Sequence, residues 1–126
     1  MEIEINVSDA SPVYAQLVSQ IIAGVLSGDL ERGYGLPSIR QLARNLELNH
    51  NTVAKAYKQL EAQHIIQTAG RKGTFIHPNA LNNAANNNLQ TARFQLENLL
   101  VSFGDKGMST DDILGLLKDQ IKRIKG

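Results

Sequence analysis

"NLELNHNTVAKAY", residues 45–57, is the stretch on which the fold turns. Leu46 and Leu48 come first; Asn49, His50, Asn51 and Thr52 then stand in a row. Val53, Ala56 and Tyr57 resume at helical spacing. Asn49 is a strong N-cap, so the pattern predicts a helix from about His50 to Gln63 with Val53, Ala56, Tyr57 and Leu60 inward. The front of that helix carries uncharged hydrogen-bonding side chains on a face that the core does not need.

The residues before it supply two more helices. "GYGLPSIRQLARNL", residues 33–46, starts with glycines and a proline and reads as loop. Ser38 then caps a short helix, with Gln41 completing a capping-box pattern and Ile39, Leu42, Ala43 and Leu46 facing inward. "SPVYAQLVSQIIAGVLSGDL", residues 11–30, predicts a longer helix capped by Ser11, with Pro12 in its first position. Tyr14, Leu17, Ile21 and Val25 form its stripe, widened by Val18, Ile22 and Leu26, and Gly28 stops it.

After it the period changes. "IIQTAGRKGTFI", residues 65–76, holds two β-prone segments, Ile65–Thr68 and Thr74–Ile76, around Gly70, Arg71, Lys72 and Gly73: a hairpin with a basic tip. "HPNALNNAANNN", residues 77–88, is a compositional shift that reads as a linker or a soft helix start. Leu89, Ala92, Leu96, Leu99 and Phe103 then follow a 3-4-3-4 seam, which "GDKG" breaks. A last helix, capped at Ser109, has Asp111 and Asp112 at its positive end and Lys118, Lys122, Arg123 and Lys125 toward its negative end. Ile113, Leu117, Ile121 and Ile124 form its apolar stripe.

The expected fold is mainly α with a small β-hairpin: a helix-turn-helix followed by the hairpin over 1–79 and two C-terminal helices over 80–126. A chain of 126 residues with a 42% hydrophobic fraction supports one small domain plus an appendage. It has no cysteine, no signal-peptide pattern and no long apolar run, so a reducing cytoplasm is the expected compartment and no membrane partner is expected. The net charge of +1 is unevenly spread. Residues 1–35 set Glu2, Glu4, Asp9, Asp29 and Glu31 against Arg32; residues 36–72 set Arg40, Arg44, Lys55, Lys58, Arg71 and Lys72 against Glu47 and Glu61. The polar stripe lies in the basic third, as a polyanion-binding face requires.

A helix-turn-helix presents the first turn of its second helix to the major groove. That turn needs an apolar back and a front that bonds to base edges or phosphate. Asn suits adenine; Thr offers a hydroxyl to phosphate and a methyl to thymine. No acid stands among residues 49–52 to repel phosphate, and the helix N-terminus itself favours an anion.

From "SPVYAQ" through "LPSIRQLA", "NTVAKAY" and "GTFI", in this order and spacing, residues 11–78 resemble the N-terminal winged helix-turn-helix of GntR-family transcription regulators. The resemblance implies that Arg40 contacts DNA, that Asn49, His50, Asn51, Thr52 and Lys55 present the recognition helix, and that Arg71, Lys72 and Gly73 form a wing approaching the minor groove. His50 stands where the family usually has Arg. Glu47 and His64 stand where it usually has Gly, so they are expected to take turn geometry that glycine adopts freely. Gly70 and Arg71 are swapped relative to the usual wing tip. The short C-terminal part is similar to that of the YtrA subfamily, whose helical tail pairs two subunits. Leu89, Ala92, Leu96, Leu99, Phe103, Ile113, Leu117 and Ile121 are the candidate dimer contacts.

The reading is therefore a repressor that binds an inverted-repeat, double-stranded operator as a homodimer, with no cofactor. No motif identifies a small-molecule effector. Folding of the last two helices back onto the wing domain would instead give a monomer. Catalysis has no support: His50, His64 and His77 are scattered, and "GRKGT" lacks phosphate-loop spacing. The rival reading is a winged-helix adaptor that binds protein and reads no DNA sequence.

Overall fold

A computed structural model of the chain describes residues 1–125. The elements run α1 (Val13–Ser27), β1 (Gly35–Leu36), α2 (Ile39–Leu46), α3 (His50–Ala62), β2 (Ile66–Thr68), β3 (Thr74–Ile76), α4 (Ala80–Asp105) and α5 (Thr110–Lys125). The chain divides into two compact units, residues 1–87 and the segment from Asn88 onward. The expected boundary after residue 79 coincides with the start of α4, whose first turns lie in the first unit.

The first unit is built on one core. Leu17, Val18, Ile21 and Val25 from α1 meet Val53, Ala56, Tyr57 and Leu60 from α3, with Leu42 and Ala43 from α2. Each Leu, Ile or Val side chain buried this way contributes about 1.5–3 kcal/mol. Ile65, Ile66 and Ile76 close the core from the sheet, and Ala80 and Ala84 close it from α4. The asparagine-rich stretch is thus helical, its small residues inward, and the Asn83 side-chain amide donates to the His64 carbonyl at 2.9 Å.

Two local expectations need correction. The loop before α2 contains a strand: β1 pairs antiparallel with β3, Gly35 opposite Phe75 and Leu36 opposite Thr74. The sheet is therefore three-stranded in the order β1-β3-β2. Two residues are too few to show a period of two, so nothing local announces them. At α1, Pro12 rather than Ser11 holds the cap position and no side chain caps the helix. The Ser11 N–H instead donates to Asp9 Oδ1 at 2.9 Å, closing the turn that precedes it.

The stretch before that turn is an extended arm clamped to α1. The Gln20 side chain accepts from the Glu4 N–H and donates to the Glu4 carbonyl. One helical turn earlier, Gln16 does the same to the backbone of Asn6, at 2.9 and 2.8 Å. Ile3 and Ile5 pack against the core beside this clamp.

The two helices of the helix-turn-helix end alike. At the end of α2, Glu47 takes φ 55° and ψ 43°, in the left-handed region. The Leu48 N–H then reaches back to the Ala43 carbonyl at 2.9 Å. After α3, His64 takes φ 56° and the Ile65 N–H reaches the Leu60 carbonyl at 2.9 Å. These bonds satisfy terminal carbonyls in the pattern glycine ordinarily allows. A side chain there costs about 1–2 kcal/mol of steric strain.

In the second unit, α4 continues from Asn88 to Asp105, a turn follows with Gly107 at φ 80°, and α5 begins. Ser109 Oγ accepts from the Asp112 N–H and Asp112 Oδ2 accepts from the Ser109 N–H, so the expected cap is a full reciprocal box. None of the described residues from Asn88 onward is buried.

Glu47→Gly and His64→Gly should each stabilise the protein by about 0.5–1 kcal/mol, strain relief exceeding glycine's added chain entropy. Urea unfolding of the single variants checks this: midpoints should rise at unchanged m. A fall would show that the native side chains stabilise these turns by more than the strain.

Candidate nucleic-acid interface

The polar stripe sits where the caps put it. Asn49 ends an extended approach, φ −64° and ψ 136°, and its Oδ1 accepts from the Asn51 N–H at 2.8 Å. Asn49 is thus confirmed as the cap, and its oxygen is engaged in that role. His50 and Asn51 follow as exposed residues, and Thr52 is half-buried. Lys55 lies one turn further on, four residues from Asn51 and three from Thr52, hence on the same helix face. Behind this face Val53, Ala56 and Tyr57 are buried, Val53 and Ala56 completely. The front can vary without touching the core, and the core fixes the front.

Arg40 lies in α2, the helix that packs against α3. Ser38 Oγ accepts from the Gln41 N–H at 3.1 Å, which starts α2 and leaves Arg40 exposed in its first turn. The entry to α2 is held from α3: the Tyr57 hydroxyl donates to the Pro37 carbonyl at 2.7 Å. Tyr57 is 4% exposed, and burial pushes its hydroxyl up to about pKa 12 from an ordinary 10.0. The sequence marks Tyr57 as a core residue; its polar end is what aligns the two helices.

Arg71, Lys72 and Gly73 stand apart, at the tip of the hairpin between β2 and β3. Residues 70–72 form a single 3-10 turn, and all three tip residues are exposed. The tip closes by the Ala69 N–H donating to the Gly73 carbonyl at 2.9 Å. Gly73 has φ 84° and ψ −154°, a conformation essentially confined to glycine. Below the tip Thr68 and Thr74 pair across the strands.

Two features escape sequence reading. Lys55 does not extend freely into solvent: its Nζ lies 4.0 Å from the centroid of the Tyr14 ring. In the second unit the apolar surface is wider than the predicted seam. Leu89, Leu96 and Leu99 are exposed, as are Ala92 and Ile121, while Phe103, Ile113 and Leu117 are half-buried. Phe94, at 65% exposure, and Val101, at 60%, lie outside the 3-4-3-4 positions altogether.

Among the described residues no three His, Cys, Asp or Glu side chains are placed to hold a metal ion. No described helix is long and apolar enough to cross a membrane.

Comparison with known proteins gives one consistent result. The family model for bacterial regulatory proteins, gntR family, matches residues 13–76. The chain is 32% identical over 124 residues to the HTH-type transcriptional repressor YtrA of Bacillus subtilis (strain 168), covering 98% of this chain and 95% of that protein. A crystal structure of a transcriptional regulator from Oenococcus oeni matches with a TM-score of 0.75 at 35% identity, over 93% of this chain and 97% of the other. YtrA from Sulfolobus acidocaldarius, a GntR-family transcription factor, matches with a TM-score of 0.57 at 28% identity, over 98% of this chain and all of the other.

The raised Tyr57 pKa has a definite consequence at high pH. The folded state holds this proton more tightly than the unfolded chain, so the contribution is fully present below pH 10 and is lost as pH rises through about 12. Across that window the protein should lose on the order of 2 kcal/mol more stability than Tyr57→Phe, which has no proton to release. Parallel urea melts between pH 9 and roughly 12 test it; equal losses in the two proteins would show that the hydroxyl is not confined in the fold.

Proposed function

Because the chain belongs to the GntR family of bacterial regulatory proteins, in its YtrA-like branch, it is a DNA-binding transcription regulator, and we propose that it is a cytoplasmic repressor that binds an inverted-repeat operator as a homodimer. The observation that carries this reading is the first turn of α3: largely exposed, free of acidic side chains, rich in hydrogen-bonding groups, and seated on the buried Val53, Ala56 and Tyr57. Such a turn meets base edges in the major groove while its own N-terminus favours the adjacent phosphate.

In this proposal His50 and Asn51 read bases, Thr52 and Arg40 meet backbone or base edges beside them, and Lys55 supplies charge one turn along. Asn49 chiefly shapes the turn. Arg71, Lys72 and Gly73 reach a neighbouring groove as a wing, adding affinity with little sequence information. The homodimer follows from the second unit, where Leu89, Ala92, Leu96, Leu99 and Ile121 remain exposed and Phe103, Ile113 and Leu117 only half-covered. A second copy covering them brings two recognition helices under one two-fold axis, matching a palindromic site. The protein-adaptor reading makes no use of the stripe.

His50→Ala and Asn51→Ala should each lower affinity for a duplex selected from a random pool by roughly 5- to 100-fold, the range of a base-edge contact of about 1–3 kcal/mol. Binding to random duplex and the melting temperature should hardly move. Asn49→Ala should differ by costing about 1 kcal/mol of stability through the lost cap. If the ratio of selected to random affinity is the same in His50→Ala, Asn51→Ala and the unaltered protein, the stripe is solvated surface and the adaptor reading takes over.

The assembly has a separate test. Replacing Leu96 and Leu99 by Glu places like charges across a desolvated face, and sedimentation should then show monomers. A dimer that survives both substitutions would move the interface elsewhere.

A further inference from the structure

One member of the α3 stripe is held from outside the helix-turn-helix. Lys55 is exposed, yet its ammonium rests 4.0 Å above the ring of Tyr14, the second residue of α1. Tyr14 is half-buried and packs against the core, so the ring that meets the ammonium is itself anchored. A lysine carries its charge on a flexible four-carbon stem, and ordering such a side chain at an interface works against affinity. A cation over an aromatic face at this distance is attracted by the ring quadrupole, enough to bias the stem toward one place. The ring occupies one side of the ammonium, and the remaining N–H donors stay available to an acceptor.

We propose that Tyr14 is a positioning residue for DNA recognition: its ring holds the Lys55 ammonium in place on the α3 face, so that the charge meets the nucleic acid already ordered. This rests on α3 being the DNA-facing helix. It assigns a role in recognition to α1, which otherwise serves only the core and the arm clamp. It also explains why an aromatic residue, rather than another aliphatic one, opens the α1 stripe.

The test is a double-substitution cycle in the full chain, read on a duplex selected from a random pool, across a series of salt concentrations. Lys55→Gln should weaken binding and, where the contact is to phosphate, flatten the salt dependence by about one unit of slope. Tyr14→Leu should weaken binding by about 2- to 5-fold, the range of an exposed cation–π contact, while keeping the original slope, because the charge is still present but less ordered. Tyr14→Phe, which keeps the ring, should restore affinity. In the Lys55→Gln background, Tyr14→Leu should cost nothing further. An equal cost in both backgrounds would make Tyr14 a packing residue and overturn the proposal while leaving the α3 reading intact. Unchanged or tighter binding by Tyr14→Leu would overturn it too, the latter showing that the ring withholds the lysine. Should Lys55→Gln itself have no effect, Lys55 does not face DNA and the proposal falls together with that assignment.

Discussion

A recognition helix is useful only if its angle to its partner helix is fixed, and here a single hydroxyl does much of the fixing. Tyr57 comes from the middle of α3, passes its ring through the core, and ends on the Pro37 carbonyl. Three elements meet at that oxygen. Leu36, the residue before it, is the last of β1 and pairs with the wing strand β3. Ser38, the residue after it, caps α2. Proline restrains the chain on both sides, fixing its own φ and pushing Leu36 into extended geometry. A buried hydroxyl deprived of this acceptor would cost about 1–3 kcal/mol. Rotating α3 relative to α2 or to the wing therefore pulls against this bond.

The parts of the fold legible in the sequence are those governed by neighbours in sequence. Ser38, Asn49 and Ser109 announce helix starts because a cap is a bond of two or three residues' reach. The apolar stripes of α1 and α3 are legible because burial follows the helical period. The left-handed turns at Glu47 and His64 are legible only through the resemblance, since neither residue type signals that geometry. What stayed hidden depends on partners far along the chain. β1 exists because β3 is there to pair with it. Lys55 lies over Tyr14 because α1 packs on α3, and 41 positions of sequence separate them. Pro12 taking the cap position shows how finely a helix start depends on the turn before it: Asp9 draws the Ser11 N–H into that turn, and Ser11 is left outside the helix.

The candidate site was legible in outline for the same reason, since Asn49 to Lys55 lie within two turns of one helix. Its electrostatic detail was not. The exposed apolar surface of the second unit shows the opposite limit. A 3-4-3-4 seam describes a narrow contact between two helices, whereas the exposed Phe94, Leu100 and Val101 extend the apolar surface around α4. A broad face of this kind suits packing among several helices at once. None of the described residues of the second unit is buried, while its N-terminal cap and its terminal charges are in place. It is specified as helix before it is specified as core.

The arm along α1 is recognised in an unusual currency. Gln16 and Gln20 each take the backbone N–H and carbonyl of one arm residue, Gln16 donating to the Ser11 carbonyl as well, and neither bonds a side chain. Position 4 can therefore take almost any residue while the path of the arm stays constant, whereas at position 6 the Asn6 Oδ1 also accepts from the Ser8 N–H and shapes the turn that follows. Proline is the exception, because it lacks the N–H that each glutamine requires. Related chains that keep glutamines four apart at these positions should tolerate great variety in the arm and exclude proline at two places in it.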